Sequence, residues 1–553
     1  MMTGMSAEKR LGRVVRSGGS DRRRRGLRAV IAAALIFLAM GATAQSRTVD
    51  FSDDKGPALL SFEDLVALSS QTTPAEPLRA RLDTILTTPF VHNESEAELK
   101  EANWQQPSPL LRVGLWNIER GLNFELIRAT LTDTDRFESL AVNQSRWSAS
   151  RRGIVESQMA RLQGADMLVL DEVDWGMKRT EYRNVAQELA AALKMNYVYG
   201  VEFVEVDPIF GLGTEKVELS NPAETGELQR DLTVDSARYR GLHGTAILSR
   251  YPIVNARVFR LPVCYYWYGQ EAREAARLEK GKCWAVRRAF GERIAHEIRR
   301  GGRMALIADL AVPGVPEGRV TIVAPHLENR CAPACRRRQM QALLDQIRPI
   351  RNPLVLAGDL NTTSQTNVLT SVRNEIMARV TDYQFWIGQT ISWFHPMGIY
   401  QHVLAPVRYF HGYNDPTAFH VPVLWNNKEK PLFGAVERFR FADGQTFDFR
   451  GDPERTLNLR GGKLADSNQR AWKGFVPTYV FAQDYAGFVG RFKLDWIFVK
   501  PYISDSRTDG SWLFAPLDPH TMRELNQSVP GRISDHAPLT VDLPLTQPLP
   551  DRR

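Results

Sequence analysis

The sequence predicts a layered protein of the α/β or α+β kind, and three observations predict it. Short apolar runs with strand character recur from Leu111 onward. Amphipathic stretches at helical spacing fall between some of them, and no internal repeat period is present. At 553 residues and 43% hydrophobic content the chain can bury at least one large core. With 39 Gly, 31 Pro and 24% charged residues it is neither collagen-like nor disordered throughout.

The first element is a leader. Residues 1–44 carry nine basic groups against two acidic ones, so they hold nearly all of the formal charge of +8 and leave a net +1 for the rest. Overall basicity is therefore no argument for a polyanionic partner; only a local patch could be. Arg22–Arg25 and Arg28 precede an apolar run, Ala29–Met40, and then Ala42-Thr43-Ala44. This is the order of a secretory signal peptide cleaved near Ala44. The run is short of the roughly 20 apolar residues a spanning helix needs, so an uncleaved N-terminal anchor is the alternative. Four cysteines agree with export, and local pairing is expected: Cys331 with Cys335 and Cys264 with Cys283.

Residues 45–108 read as a partly ordered N-terminal extension with weak helical patterns at Leu82–Leu86 and Glu94–Glu101. Strands are expected at Arg112–Trp116, Met167–Leu170, Tyr197–Val206, Thr245–Leu248, Met304–Ala311, Arg319–Ala324, Pro353–Ala357, Trp496–Val499 and Leu539–Leu543. Helices are expected at Arg151–Leu162, Val185–Leu193 and Arg336–Ile347, the last with Met340, Leu343, Leu344 and Ile347 on one face. Residues 380–490 differ in texture and read as an insertion between late strands. Within them Val436–Phe441 and Gln445–Arg450 flank an Asp443-Gly444 turn, the pattern of a hairpin. The histidines there, His395, His402, His411 and His420, have no metal-ligand spacing. Residues 546–553 form a tail.

The chemistry lies at the strand ends. Asn117 and Glu119 end the first strand, Asp171, Glu172 and Asp174 the second. His326 follows Arg319–Ala324, and Asp359 and Asn361 follow Pro353–Ala357. Asp495 opens the Trp496 strand, and Asp535 and His536 precede the last. A single polar residue after a strand is turn chemistry. Six such sites together supply oxygen ligands for a hard cation such as magnesium, and two histidines for proton transfer. Asp359 and Asn361 are two apart, which on extended chain points them the same way. No phosphate-binding Gly-rich loop with Lys and no Gly-x-Ser-x-Gly elbow is present. The combination points to metal-assisted phosphoester hydrolysis.

The ordered series WNIE, LDEV, HGTAILSRYPI, APHLEN, GDLN, LDWIFV and SDHAPL resembles the endonuclease/exonuclease/phosphatase superfamily, in particular its secreted deoxyribonuclease and neutral sphingomyelinase branches. The resemblance covers about residues 109–545. It implies an α/β fold, a four-layered α/β sandwich of two packed mixed β-sheets flanked by helices, with the site at one rim. It further implies a magnesium or manganese ion on Glu172 and Asn117, with Asp535 and, at lower weight, Glu119. His326 and His536 match the catalytic histidines, Asp495 the residue that holds His536, Asp359 the water-activating Asp and Asn361 the phosphate-orienting Asn. His243 reads as a structural hydrogen-bonding residue.

Arg330, Arg336, Arg337 and Arg338 follow His326 closely. They form either a solvated helix face or an anion-steering patch for substrate. The expected activity is a secreted or periplasmic phosphodiesterase acting on nucleic acid. A phospholipid such as sphingomyelin, or another organic phosphoester, is the alternative. No obligate protein partner is evident, and membrane contact is expected only from an uncleaved leader or a lipid substrate. Two rivals are a non-catalytic binding protein on the same fold and a two-metal phosphatase of the calcineurin kind. The first would show a lost catalytic position. The second needs an early Asp-x-His, whereas Asp518-Pro519-His520 lies near the end.

Overall fold

Strands form where β-branched and aromatic residues alternate between two buried faces, and helices form where apolar residues recur at three and four. The computed structural model describes residues 56–93, 110–141, 147–206, 234–272, 298–362, 428–471, 474–480, 491–503 and 512–545. The leader, Glu94–Glu101, Cys283, residues 380–427 with their four histidines, and the tail lie outside the described residues.

In chain order the N-terminal segment supplies helices α1 (Phe62–Ser70) and α2 (Glu76–Thr87) and strand β1 (Phe90–His92). Next come β2 (Leu110–Arg120), α3 (Phe124–Thr132), α4 (Thr134–Leu140), α5 (Ala149–Gln163) and β3 (Met167–Trp175). Helix α6 (Val185–Leu193) leads to β4 (Asn196–Glu205), β5 (Leu242–Ser249) and β6 (Ile253–Arg260). Then follow β7 (Arg299–Gly301), β8 (Met304–Ala311), β9 (Arg319–Pro325), α7 (Pro333–Ile347) and β10 (Leu354–Asp359). Helix α8 (Lys430–Arg438), β11 (Asp495–Lys500), β12 (Leu517–Thr521), α9 (Arg523–Asn526) and β13 (Leu539–Pro544) complete the set that positions the site. No helix among the described residues is long and apolar enough to cross a membrane.

Two mixed sheets result. The eight-stranded sheet runs β1-β4-β5-β3-β2-β13-β12, with β7 paired to β4. The five-stranded sheet runs β11-β10-β9-β8-β6. In each, a single pair is parallel, β2 with β3 and β9 with β10. The two-residue period assigns side chains to layers. Val113, Leu115, Val169 and Ile247 face Leu306, Ile322, Val355 and Ile497 between the sheets. Trp116, Leu168, Leu170 and Leu248 face the helices of the first half, including Ile127, Val155, Met159 and Leu189. Ile307, Val323, Trp496 and Phe498 face Met340, Leu343, Leu432 and Phe433 of α7 and α8. Helix, sheet, sheet, helix is the four-layered sandwich expected.

Residues 56–93 of the N-terminal extension pack on the fold, with Leu82–Leu86 inside α2: Leu65, Leu68, Leu82 and Ile85 join the first core, and β1 pairs antiparallel with β4. Two local expectations need correction. The hairpin at Val436–Phe441 is not there. Leu432, Phe433 and Val436 share one buried helical face of α8, and only the turn survives, with Gly444 N donating to Phe441 O. Phe439, Phe441 and Phe447 then pack on the core of the second sheet, so the described part of the 380–490 stretch forms a wall of the domain. Finally, Cys264 bonds to Cys335, and Cys331 is a buried free thiol. Helix α7 starts at Pro333 and turns Cys335 toward the segment after β6, which sequence proximity did not foretell.

Gly358 sets the spacing next to the site. A Cβ there would lie 2.0 Å from the carbonyl oxygen of Pro325, the residue before His326. That contact is with backbone, which cannot swing aside. Gly358→Ala should therefore lower stability by about 1–3 kcal/mol and displace the His326 loop. Urea unfolding checks this; an unchanged midpoint would show that the strands part freely.

Candidate active site

A row of β-bulges shapes the rim. The β2–β3 register slips between Asn117 and Arg120, the β3–β5 register between Leu170 and Val173, and the β4–β5 register between Val201 and Phe203. Each slip inserts residues that re-aim a side chain. Glu119 and Glu172 take left-handed backbone there, at φ 47° and 54°. Glu202 is the extra residue of the third bulge.

The centre is Asp359, buried at the end of β10. Its Oδ1 accepts from Asn361 N at 2.8 Å, and Asn117 Nδ2 donates to Oδ2 at 3.3 Å. Its own N–H donates at 2.8 Å to Asp171 Oδ2, a bond that joins the two sheets. Asp171 also accepts from Thr245 Oγ1 at 3.1 Å, and burial pushes its carboxyl up to about 7. Asp171, the acid before Glu172 in LDEV, is thus turned into the protein. Asp174 is too, against His243 Nδ1 at 2.7 Å and Arg179 at 2.6 Å. His243 stacks on Phe203, in keeping with a structural role.

Both expected histidines converge on Asp359. His326 Nε2 lies 3.7 Å and His536 Nε2 3.9 Å from Asp359 Oδ2. His536 Nδ1 meets Asp495 Oδ2 at 2.8 Å, the dyad expected. Its loop is fixed by Trp116 Nε1 donating to His536 O and by Ser534 Oγ donating to Asn117 O. Tyr479, in the stretch expected as an insertion, bridges to His536 in a short antiparallel pair, and Thr478 Oγ1 accepts from the Asp495 N–H. Burial alone would lower the His536 imidazole. Asp495, Asp359 and Asp535 outweigh it and raise its pKa well above the ordinary value.

His326 has a second dyad that the sequence reading missed. Its Nδ1 lies 2.7 Å from Glu202 Oε1, and Arg303 Nη1 lies 2.8 Å from Glu202 Oε2 and from the ring. Burial and Arg303 press the imidazole down, but Glu202 and Asp359 prevail and raise it to about 9. Glu202 is held well below the usual carboxylate range by His326 and Arg303 against its own burial. The available signal was an acid within the apolar run Tyr197–Val206, which holds Glu202 and Glu205, since a buried charge needs a partner.

Glu119, Glu172 and Asp535 form the oxygen-rich side. Asp535 N donates to Glu119 Oε2 at 3.1 Å. Burial and the neighbouring Glu172 charge push the Asp535 carboxyl up, and its Oδ1 has no hydrogen-bond partner among the described residues. Glu172 is held low against its burial by His326, Arg120, His243 and His536. Crowded carboxylates with an orphaned buried oxygen fit a hard divalent cation. Asp359, Asp495 and His536 also have ligand atoms within 4.8 Å of one another, but His536 Nδ1 is committed to Asp495. Asn117 is a brace: Oδ1 accepts from Glu119 N while Nδ2 holds Asp359.

Two expectations change. Asn361 is not on extended chain, since its φ is 49°, and its Nδ2 donates to Leu327 O, so it ties the Asp359 turn to the His326 turn. The arginines split. Arg336 is 0% exposed, paired with Glu429 and donating to Cys331 O, so it cannot meet substrate. Arg337 and Arg338 are exposed, and Arg330 is half-buried beside Tyr265.

Residues 114–536 match the sequence model of the Endonuclease/Exonuclease/phosphatase family. No curated protein matches the chain. Among solved structures the chain is similar to an endonuclease/exonuclease/phosphatase from Beutenbergia cavernae, at 16% identity, covering 79% of this chain and 72% of that one with a TM-score of 0.35. It is similar also to the human Nocturnin catalytic domain with bound sulfate, at 13% identity, 79% and 94% coverage and a TM-score of 0.32. A third is the 3'-5' exonuclease NExo from Neisseria meningitidis, at 12% identity, 78% and 98% coverage and a TM-score of 0.33.

The Glu202–His326 pair makes a pH prediction. A raised imidazole contributes stability that is complete below the free value of about 6.5. That stability is lost as pH rises through about 9. Glu202→Gln should bring the His326 titration below that value and flatten stability across this window. Ring proton NMR checks it; an unshifted His326 would assign the holding charge elsewhere.

Proposed function

Because the chain belongs to the endonuclease/exonuclease/phosphatase family, we propose that it is a metal-dependent phosphodiesterase that cleaves nucleic acid by attack of water on phosphorus. One observation carries this reading: two carboxylate-backed imidazoles direct their Nε2 atoms at the same Asp359 oxygen. Glu172, with Asp535 and Glu119 beside it and Asn117 as brace, would hold the cation, and magnesium or manganese suits an all-oxygen set. Once bound it would supply Lewis-acid polarisation of a phosphoryl oxygen and offset charge at phosphorus.

The chain's own groups do the rest. Asp359 orients the attacking water and takes its proton. His326 and His536, kept cationic by Glu202 and Asp495, hydrogen-bond the phosphoryl oxygens as charge builds. One of them returns a proton to the leaving oxygen as its bond to phosphorus breaks. Asn361 fixes the turn that carries Asp359. Arg330, Arg337 and Arg338 draw the anionic strand toward the rim. The other substrate class, a phospholipid head-group diester, is favoured by the net charge of only +1 outside the leader. Hydrolysis of plasmid DNA, sphingomyelin and small phosphodiesters with magnesium separates the two. We place the protein outside the cytoplasm; the leader and the Cys264–Cys335 bond support export.

Glu172→Gln should keep the fold and lose most activity, and excess chelator should abolish it; full activity in chelator would sink the metal assignment. His326→Ala and His536→Ala should each cost about 10²–10⁴ in rate, and the double variant much less than their product. Asp495→Asn should mimic His536→Ala more closely than His326→Ala. For export, mass spectrometry of the native protein should find a mature start near Gln45 and one bond joining Cys264 to Cys335; an intact Met1 would refute cleavage.

A further inference from the structure

The segment between β6 and β7 carries Val263-Cys264-Tyr265-Tyr266-Trp267-Tyr268, a run of aromatics that the mechanism above does not use. Its inner residues are anchored. Trp267 Nε1 donates to Glu328 Oε2 at 3.0 Å, Tyr268 Oη donates to Ser69 O at 3.1 Å, and Cys264 is bonded to Cys335 at the start of α7. Its outer residues are bare: Val263 is 65% and Tyr266 56% exposed. Tyr265 lies between, its ring 5.5 Å from the Arg330 guanidinium and its Oη 3.4 Å from Arg330 Nη1.

Two independent contacts place this segment beside the reacting centre. Glu328, which holds Trp267, is two residues past His326, and Trp267 also lies under Arg303, which touches the His326 ring. Arg330 is four residues past His326, so its Cα lies within about 14 Å of it. Arg337 and Arg338 are exposed on α7 immediately beyond, and Arg338 Nη2 donates to Val263 O at 3.3 Å.

We propose that Tyr265 and Tyr266, flanked by Arg330, Arg337 and Arg338, form a stacking platform for a base of a single-stranded nucleic acid whose phosphodiester lies at Asp359. The inference rests on the phosphodiesterase reading for the nature of the strand. Ring faces take any base, and guanidinium groups meet the adjoining phosphates, the combination by which single strands are held without sequence preference. The exposed guanidinium groups of Arg337 and Arg338 fit an anionic partner. A membrane fits less well, because interfacial binding draws on a broad apolar face, and among the described residues of this segment only Val263 and Tyr266 are bare. The disulfide and the Trp267 anchor hold the rings in place before the strand arrives, which lowers the ordering cost of binding.

The test is equilibrium binding of a fluorescent single-stranded oligonucleotide in chelator, so that binding is read apart from cleavage. Tyr266→Ala should weaken binding about 5- to 150-fold, the span that one base stack is worth. Tyr266→Trp should keep the affinity, and a strand with abasic sugars at every position should bind the unsubstituted protein and Tyr266→Ala nearly alike. Equal affinity of Tyr266→Ala and the unsubstituted protein for the base-bearing strand would overturn the platform. So would a loss seen only on phosphatidylserine vesicles, which would make the segment a membrane contact. Hydrolysis with magnesium is scored separately: binding that depends on Tyr266 in a protein that cleaves no strand supports the platform and refutes nucleic-acid cleavage.

Discussion

Everything at the rim depends on containing negative charge where the two sheets meet. Asp171, Asp359, Asp495 and Glu202 are buried within one neighbourhood, and like charges removed from water repel strongly. The fold answers each with a cation or a proton: His326 and Arg303 for Glu202, His536 for Asp495, a raised carboxyl for Asp171. Asp359 sits between the two imidazoles and shares both. Remove one partner and an uncompensated buried charge remains, a larger penalty than the pair itself is worth. The same economy explains why the second histidine dyad exists at all. Without Glu202, burial and Arg303 would press the His326 imidazole down, away from the charged form that the proposed hydrolysis uses.

What was legible in the sequence follows the same physics. Strand ends could be read because each apolar run stops abruptly at a polar group, as at Asn117, Glu172 and Asp359. Glu202 offered only the weaker signal of an acid within an apolar run, because it lies inside a strand and reaches the rim only through a bulge, which has no signature in a run of alternating residues. The Asp359–Asn361 geometry was misjudged for a related reason: the pleat ends at Asp359, and a left-handed residue follows. Arg336 and Arg337 are adjacent in a charge run, yet one is sealed against Glu429 and the other exposed. Only the packing of α7 on α8 decides which.

The aromatic stretch around residue 440 shows a limit of pattern reading. Phe439, Phe441 and Phe447 alternate as strand residues do, but what they share is a core beneath Trp496 and Phe498, reached from a helix and a loop. Continuing to Tyr479, this stretch braces His536 from behind. A segment that reads as an appendage is thus a support for the site, and changes in it should be expected to reach the histidine.

The pairing of β2 with β13 has a consequence for how the protein comes to be. Trp116 donates to the His536 carbonyl across 420 residues of chain, which at a synthesis rate of about 5–20 residues per second separates their appearance by roughly 20–80 s. Contacts of such sequence separation also close late in folding, after loop entropy has been overcome. Half of the candidate centre, the Asp535–His536 turn, therefore arrives last, immediately before β13, the strand that completes the first sheet.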